Sequence, residues 1–536
     1  MLVCRLLSVA HATSTGNMRM TSTTHAYRNM LALAAICLAG VMFHLEISSV
    51  PIILPTLEVK LGADFADLQW IMNAYTIACT TVLMAVGTLA DRYGRRRIFV
   101  LSLIIFGVAS LICGLAENTY TLIASRFLQG IGGGAMMICQ IANLSHQFQE
   151  GKERSQAFAM WGFVFGVGLG LGPLIGGVIV TLLNWRWIFL VHVPLVALTL
   201  VLTYVGIDES RNPQAGKLDL GGMATLSAAV FGLTYLITQR PGLGAAGMSG
   251  IAAVVILFIA FIVIENRSAH PMFMFSVFRI RNVSGALMGS IAMNFSFWPF
   301  NIYLPIYFRT VLGYDAVNAG MLQLAYTLPT LLIPPLAERL SLRYQARVII
   351  PAGLMTIGVG FFLMLIGNTT LQAGWAAMVP GCIIAGIGLG LTNTPVTNAV
   401  TGSVPAARAG MASGIDMSAR LITFAVNISL MGFILLEGIW AYLRHALPAS
   451  FDDAQLLAMA GKVAAGSGDE LRRAFPALMS ADASGAITHA ALVHGFSIVM
   501  LYGGVGAAVL AVISRLIFGG KLQGVPQPDM LTAAKN

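Results

Sequence analysis

The chain has 536 residues, of which 57% are hydrophobic and 10% charged, whereas a soluble domain carries about 25% charge. A soluble globular protein is thereby excluded. The formal charge of +9 does not point to nucleic acid, because the Lys and Arg residues sit in short loops between apolar runs, where they set membrane orientation.

Residues 1–29 are polar, with Arg5, Arg19 and Arg28 and no acid. They carry no convincing signal-peptide cleavage site and are expected to form a cytoplasmic tail, with Met18, Met20 and Met30 as alternative starts. Apolar runs then fall near 30–55, 69–90, 98–116, 120–145, 155–181, 185–206, 221–239, 250–265, 282–308, 316–337, 346–367, 373–400, 411–437 and 491–518. Crossing a bilayer takes about 20 mainly apolar residues, and none of these runs alternates polar with apolar as a barrel strand does, so fourteen transmembrane helices are expected. The run at 250–265 is the shortest. With the N-terminus in the cytoplasm, the short inner loops hold 15 Lys and Arg and the short outer loops 4, which places both termini inside. Four more basic residues lie in the long outer segment 438–490, where Asp452 and Asp469 are helix-start signals. A solvated cap of one or two short helices is expected there.

The tetrapeptide Leu89–Arg92 (LADR), after the second span, recurs as LAER at Leu336–Arg339, after the tenth. Equal positions in the topology suggest two repeated halves around a cleft, a common transporter plan. The expected division is a tail at 1–29, an N-terminal six-helix bundle at 30–207, a linker with two extra helices at 208–281, a C-terminal six-helix bundle at 282–519, and a tail at 520–536.

The inner loop GTLADRYGRRRIF (Gly87–Phe99) packs one acid and four arginines between two spans. A topogenic arginine cluster explains the charges but not the spacing of Gly87, Asp91 and Gly94. The loop resembles the loop-2–3 signature of the major facilitator superfamily, carried by Gly87, Asp91, Arg92, Gly94, Arg95 and Arg96. RFLQGIGGGAMM (Arg126–Met137) resembles that superfamily's fourth-span motif. GFVFGVGLGLGPLIGG (Gly162–Gly177) resembles its fifth-span antiporter motif at Gly168, Gly172, Pro173, Gly176 and Gly177. NWRWIFLVHVP (Asn184–Pro194), LEISSVPIILP (Leu45–Pro55), QWIMNAY (Gln69–Tyr75) and GIGLGLTNTPVTNAV (Gly386–Val400) are similar to signatures of the fourteen-span drug:proton antiporters, the EmrB/QacA type. The resemblance covers roughly residues 30–520. The chain departs from that group at Glu46 (usually Asp), Pro51 (usually Asn) and His192 (usually Asn), and its second cytoplasmic signature, after the tenth span, has Glu338 for Asp and Gln345 for Gly. The fold implied is all-α, the major facilitator fold: two six-helix bundles with an inserted two-helix hairpin.

The glycines of 162–177 fall into two stripes, Gly162/Gly166/Gly170 and Gly168/Gly172/Gly176. Small stripes let helix backbones approach closely in lipid, and Pro173 favours a bend, so this helix is expected to be packed tightly on two sides. The resemblance implies that one of those sides is the contact between the halves. Glycophorin-like dimerisation ranks below that, because the proline interrupts the stripe.

Glu46 lies mid-span, and an acid there is a functional hypothesis by default. A hydrogen bond to Ser48, Ser49 or a neighbouring helix is the structural alternative to proton carriage. Arg126 snorkels to a surface or, as the resemblance implies, serves proton coupling. Asp416 and Arg420 sit at i,i+4 spacing and read as a structural ion pair, with cargo contact the outside reading. Trp70, Tyr75, Trp161, Phe165, Trp298, Phe300, Tyr303, Tyr307 and Tyr326 are candidates for lining a cargo cavity and equally for facing lipid. His44 lies two residues from Glu46 and therefore points elsewhere on that helix, and His192 and His494, which could titrate near neutrality, each read more simply as packing histidines. The six cysteines are scattered with no metal-site or redox spacing, no phosphate-binding loop follows a strand, and no catalytic constellation stands out. Neither enzyme activity, a metal nor a cofactor is therefore expected.

The resulting expectation is an exporter in the cell membrane that exchanges protons for hydrophobic or cationic small molecules, driven by the proton gradient and working as a monomer. A Gram-negative setting would add a periplasmic adaptor and an outer-membrane channel. The alternatives are the same fold exporting one native metabolite, lipid or siderophore, and a non-transporting membrane sensor or scaffold.

Overall fold

The computed structural model describes residues 17–148, 151–211, 219–239, 245–268, 271, 275–370, 374–404, 409–448, 450–466 and 468–519. The tail at 520–536 and most of that at 1–29 lie outside the described residues. The first group of helices comprises α1 (Asn17–Leu61), α2 (Phe65–Tyr93), α3 (Arg95–Leu115), α4 (Thr119–Gln147), α5 (Gly151–Leu182), the short α6 (Trp187–Leu190) and α7 (His192–Gly206). A hairpin follows, α8 (Leu220–Gln239) and α9 (Ala245–Arg267). The second group runs from α10 (Arg281–Phe295) through α11 (Phe297–Thr310), α12 (Ala316–Leu332), α13 (Pro334–Tyr344), α14 (Ala346–Thr370), α15 (Gly374–Gly402) and α16 (Ala409–Ala446). It continues with the short α17 (Asp453–Ala465), α18 (Gly468–Ala474) and α19 (Leu478–Ala481), and ends in α20 (Ala486–Phe518).

Twelve helices among the described residues are long and apolar enough to cross a membrane, and α2, bent by 51° between Leu83 and Ala85, makes a thirteenth. The Thr76, Thr80 and Thr81 hydroxyls all donate to the carbonyl four residues back, a pattern that bends helices. The run 282–308 is present as two helices of 15 and 14 residues that meet at Ser296. Proline explains this and the other unexpected breaks. Pro299, Pro194 and Pro334 each lack the N–H that would bond four residues upstream, and the chain breaks just there, before α11, before α7 and before α13. The weak run at 250–265 is a full 23-residue helix, α9.

In the first bundle α1 lies along α5, and α2 and α3 both lie along α4; in the second, α14 lies along α15 and α20. Two seams join the bundles, α5 against α12 and α2 against α16, and the α8–α9 hairpin covers the second by resting on both its helices. Thr238 of α8 bonds Ser429 of α16 at 2.7 Å, and Ser429 accepts from Asn73 of α2 at 2.8 Å.

The two glycine stripes of α5 face different neighbours. A Cβ on Gly168 or Gly176 would lie 2.9 Å from the Cβ of His44 or Ser49, and one on Gly172 would collide with the Ser48 hydroxyl, so this stripe beds onto α1. The other side meets α12: a Cβ on Gly177 would lie 2.5 Å from the Ala316 carbonyl oxygen, and one on Gly320 2.6 Å from that of Pro173. Further along the helix the seam continues through Thr327, which donates to the Gly170 carbonyl at 2.7 Å, and through Gly166, whose Cβ would collide with Leu331 Cδ1, and it opens only at Gly162. Backbone meets backbone at the end that carries residues 438–490, whereas towards the end that carries the chain termini the Leu331 side chain fills the seam.

The segment 438–490 holds three short helices, more than expected and less solvated. Asp452 caps α17 in a reciprocal box with Gln455, and Leu456, Met459, Ala460 and Val463 are buried where α17 meets α16, α20 and α2. Asp469 lies inside the first turn of α18 rather than at its cap.

Candidate functional site

Four glycines of α4 build the site. A Cβ on Gly130 or Gly134 would strike the backbone of α2 at Tyr75 or Cys79, and one on Gly132 would lie 2.6 Å from the Phe106 nitrogen of α3. A Cβ on Gly133 would meet the Tyr75 hydroxyl at 2.6 Å. The close approach brings the Ile71 carbonyl and the Tyr75 ring over Arg126, one turn earlier on α4.

Arg126 and Glu46 of α1 are both fully buried and form a direct ion pair from Nη1 to Oε1. The guanidinium also donates through Nε to the Ile71 carbonyl at 2.9 Å and through Nη1 to Gln129 Oε1 at 2.7 Å. Its Cζ stands 4.5 Å from the centre of the Tyr75 ring, a cation–π distance. Gln129 is fixed by donating to Ser110 Oγ of α3 at 2.9 Å. The second carboxylate oxygen, Oε2, accepts no hydrogen bond among the described residues; its neighbour is His192 Nδ1 of α7, 3.4 Å away and buried. Five helices thus enclose one carboxylate, one guanidinium and one imidazole with no exposed surface. The arrangement can hold or release a proton at a charge pair screened from water.

Of the residues singled out in the sequence, Glu46 and Arg126 are therefore together. Tyr75, a cargo-cavity candidate, lies beneath Arg126 instead. His192, read as a packing residue, faces Glu46; the signal was its place in the NWRWIFLVHVP motif, where the resembling group has Asn. Gln129 was legible only as the residue one turn from Arg126.

The loop 2–3 residues form a second polar site at the terminal end. Asp91, in the last turn of α2, accepts from Arg95 Nη2 at 2.8 Å and Nε at 2.9 Å. Gly94 joins α2 to α3 at φ +115°, a conformation that side-chain-bearing residues avoid. Glu209, beyond α7, accepts from the backbone N–H groups of Arg96 and Arg97, each at 3.2 Å, and so caps α3 from outside the loop. Arg96 also donates to the Ile207 carbonyl at 3.1 Å. Gly87 faces Ile138 of α4, and Arg92 lies over the Tyr93 ring.

Asp416 and Arg420 pair within α16 at 3.2 Å. Ser290 of α10 donates to Asp416, while Arg420 also reaches Asn393 and Thr397 of α15. The pair ties three helices of the second bundle together.

Of the remaining cavity candidates, Trp298 and Tyr326 gather around Phe297 in the second bundle with Phe300 against Tyr326, and the others lie apart. Trp70 packs against Phe231 and Tyr235 of α8. Tyr303 and Tyr326 are buried, Tyr303 donating to the Ile428 carbonyl and Tyr326 stacked on Phe297 at 3.9 Å. Trp298 meets Phe297 edge-on. Trp161 donates to Gln140 at 3.1 Å. The Phe165 side chain lies outside the described residues.

The sequence model of the Major Facilitator Superfamily matches residues 36–426. The chain is 30% identical over 430 residues to the multidrug resistance protein Stp of Mycobacterium tuberculosis, covering 79% of each protein. It is 31% identical to the cephamycin export protein CmcT of Amycolatopsis lactamdurans, covering 80% of this chain and 88% of that protein. Among solved structures, a bacterial homologue of the human lysosomal transporter Spinster, inward-facing and unoccupied, aligns with a TM-score of 0.63 at 17% identity, covering 92% of this chain and 98% of that one. That likeness concerns the fold.

Proposed function

The chain belongs to the major facilitator superfamily, a family of transporters, and from that premise we propose that it exports hydrophobic or cationic small molecules in exchange for protons. On this reading it is one of the fourteen-span drug:proton antiporters, set in the cell membrane with both termini in the cytoplasm, working as a monomer without a cofactor. A periplasmic adaptor and an outer-membrane channel join it if the cell is Gram-negative. The names of the relatives support export. The observation that carries proton coupling is Glu46: a fully buried carboxylate whose charge is met by the equally buried Arg126.

The cycle is a rocking of the two bundles about the seams, with the site opened to each side in turn. Proton binding to Glu46 cancels its attraction for Arg126, and a cationic cargo competes for the same charge. A ligand shifts such an equilibrium only by its differential affinity for the two states, and a carboxylate that is charged in one and neutral in the other supplies that difference.

Purified protein tests this directly. A cationic dye such as ethidium should release protons from the wild type and not from Glu46→Gln, which keeps the shape and fixes the neutral state. In cells, efflux of a cargo panel should collapse when the proton gradient is removed. Equal proton release by the variant would move coupling away from Glu46, with Asp416 the next carboxylate to test. A second reading, export of a single native metabolite, is favoured by the cephamycin exporter among the relatives; the cargo panel separates the two by breadth.

A further inference from the structure

We infer that His192 is a second proton-binding group of this site, taking a proton at Nε2 and passing its Nδ1 proton to Glu46. The inference rests on the reading of Glu46 as the proton carrier. His192 Nδ1 stands 3.3 Å from the Phe189 carbonyl oxygen and 3.4 Å from Glu46 Oε2. Both are acceptors, so a lone pair on Nδ1 would face two repelling oxygens. The neutral ring therefore carries its proton on Nδ1, donating to the Phe189 carbonyl with Glu46 Oε2 3.4 Å away. Its Nε2 is then an unprotonated, basic nitrogen, buried and without a hydrogen-bond partner among the described residues. A buried polar atom left unpaired costs about 1–3 kcal/mol, a cost that a packing histidine would not need to carry.

The groups against the ring are Glu46 from α1, with Arg126 of α4 beyond it, and the Phe106 ring of α3, edge-on at 5.4 Å; the Tyr75 phenol of α2 lies on the far side of that pair, against Arg126. Only Glu46 can take a proton from Nδ1. When a proton from water binds Nε2, the ring becomes an imidazolium. The Nδ1–H bond then breaks as an Oε2–H bond forms on Glu46. One proton has entered, the ring is neutral again with its proton on Nε2, and Glu46 is an uncharged acid that Arg126 no longer holds by charge. Discharge reverses the steps.

His192→Asn isolates this role, because the Asn amide can donate from the position of Nδ1 but has nothing in place of Nε2. In proteoliposomes, gradient-driven ethidium efflux should fall about 100-fold or more in that variant, the lower end of what one positioned proton-transfer group contributes. Thermal stability should stay near wild type, and ethidium exchange without net proton movement should fall far less than gradient-driven efflux does. The pH profile of efflux should lose the histidine's ionisation. An unchanged profile and efflux rate would overturn the inference. Should the variant be poorly folded, histidine-selective 15N NMR on the wild-type protein decides. The signal facing Glu46 should show a Nδ1–H tautomer at neutral pH and move to Nε2–H as the pH falls, and should fail to make that exchange in Glu46→Gln. A Nε2–H tautomer at neutral pH would also overturn it. The two readings fail separately: proton release by Glu46→Gln removes the carrier itself, whereas a silent Glu46→Gln with a normal His192→Asn removes only the histidine.

Discussion

Arg126 serves three acceptors from one buried position: Glu46, Gln129 and the Ile71 carbonyl. Removing one partner of a buried pair costs about 3–5 kcal/mol because the other charge is stranded. Arg126→Met and Glu46→Gln should therefore each lower thermal stability, and the double variant should be more stable than Arg126→Met alone, since it strands no carboxylate. Additive losses in the unfolding midpoints would mean that the two side chains are not energetically coupled. Arg126→Lys should fold yet lose transport, because a single ammonium cannot reproduce the planar fork that meets three acceptors. Much of this site is legible in the sequence, since an acid and an arginine inside apolar runs must find each other or pay for being alone. What is not legible is which third group joins them. His192 is 146 positions from Glu46 in the chain, and nothing local to it distinguishes an imidazole aimed at a carboxylate from one packed against a phenyl ring.

At the scale of the helix, glycine position rather than glycine number governs α5. Gly162 has nothing within 4 Å of a built Cβ, whereas Gly172 has the Ser48 hydroxyl in the way. Gly162→Ala should thus be neutral or stabilising by up to about 1 kcal/mol, the helix-propensity difference. Gly172→Leu should insert but lose coupled transport, as measured by efflux alongside a surface-expression control. Equal tolerance at both positions would mean that α5 does not bed onto α1. The same logic applies to the α2–α3 corner, where the Glu209 carboxylate occupies the space beside Gly94. Glu209→Ala should cost about 1 kcal/mol as a lost helix cap and slow transport while leaving cargo binding within a few-fold. Unchanged transport would confine Glu209 to a passive role. The stripes and the loop signature are readable from spacing alone. Glu209 is not, because a cap supplied from more than a hundred residues away leaves no local pattern. The helix breaks at Ser296 and Val191 stand between these cases, since the prolines that cause them are plain in the sequence but lie inside runs whose hydropathy reads as continuous.

For the whole molecule, the backbone contacts of α5 and α12 at Gly177 and Gly320 hold the pair of bundles shut at the end bearing residues 438–490. Arg309 of α11 crosses there to α1, donating to the Ile52 carbonyl at 3.1 Å and to Thr56 Oγ1 at 2.9 Å, and α17 covers the junction by resting on helices of both bundles. At the opposite end Met160 and Phe163 of α5 and Leu332 of α12 are exposed, and the closing contact among the described residues is a side chain, Leu331 against Gly166. Hydrogen bonds from a charged donor contribute about 1.5–3 kcal/mol each, and 1.4 kcal/mol is a tenfold change in a population. Arg309→Ala should therefore raise the outward-open population by about tenfold or more. The readout is a cysteine at Ile53, fully buried on α1 beside this crossing, in a background whose native cysteines are replaced by serine. A membrane-impermeant maleimide added from outside should label it faster, by about the same factor, when Arg309 is alanine. Cargo that binds the inward-open state should slow labelling in both proteins. If labelling is unchanged by Arg309→Ala, the glycine contacts at Gly177 and Gly320 carry the closure, and Gly320→Leu should open it instead.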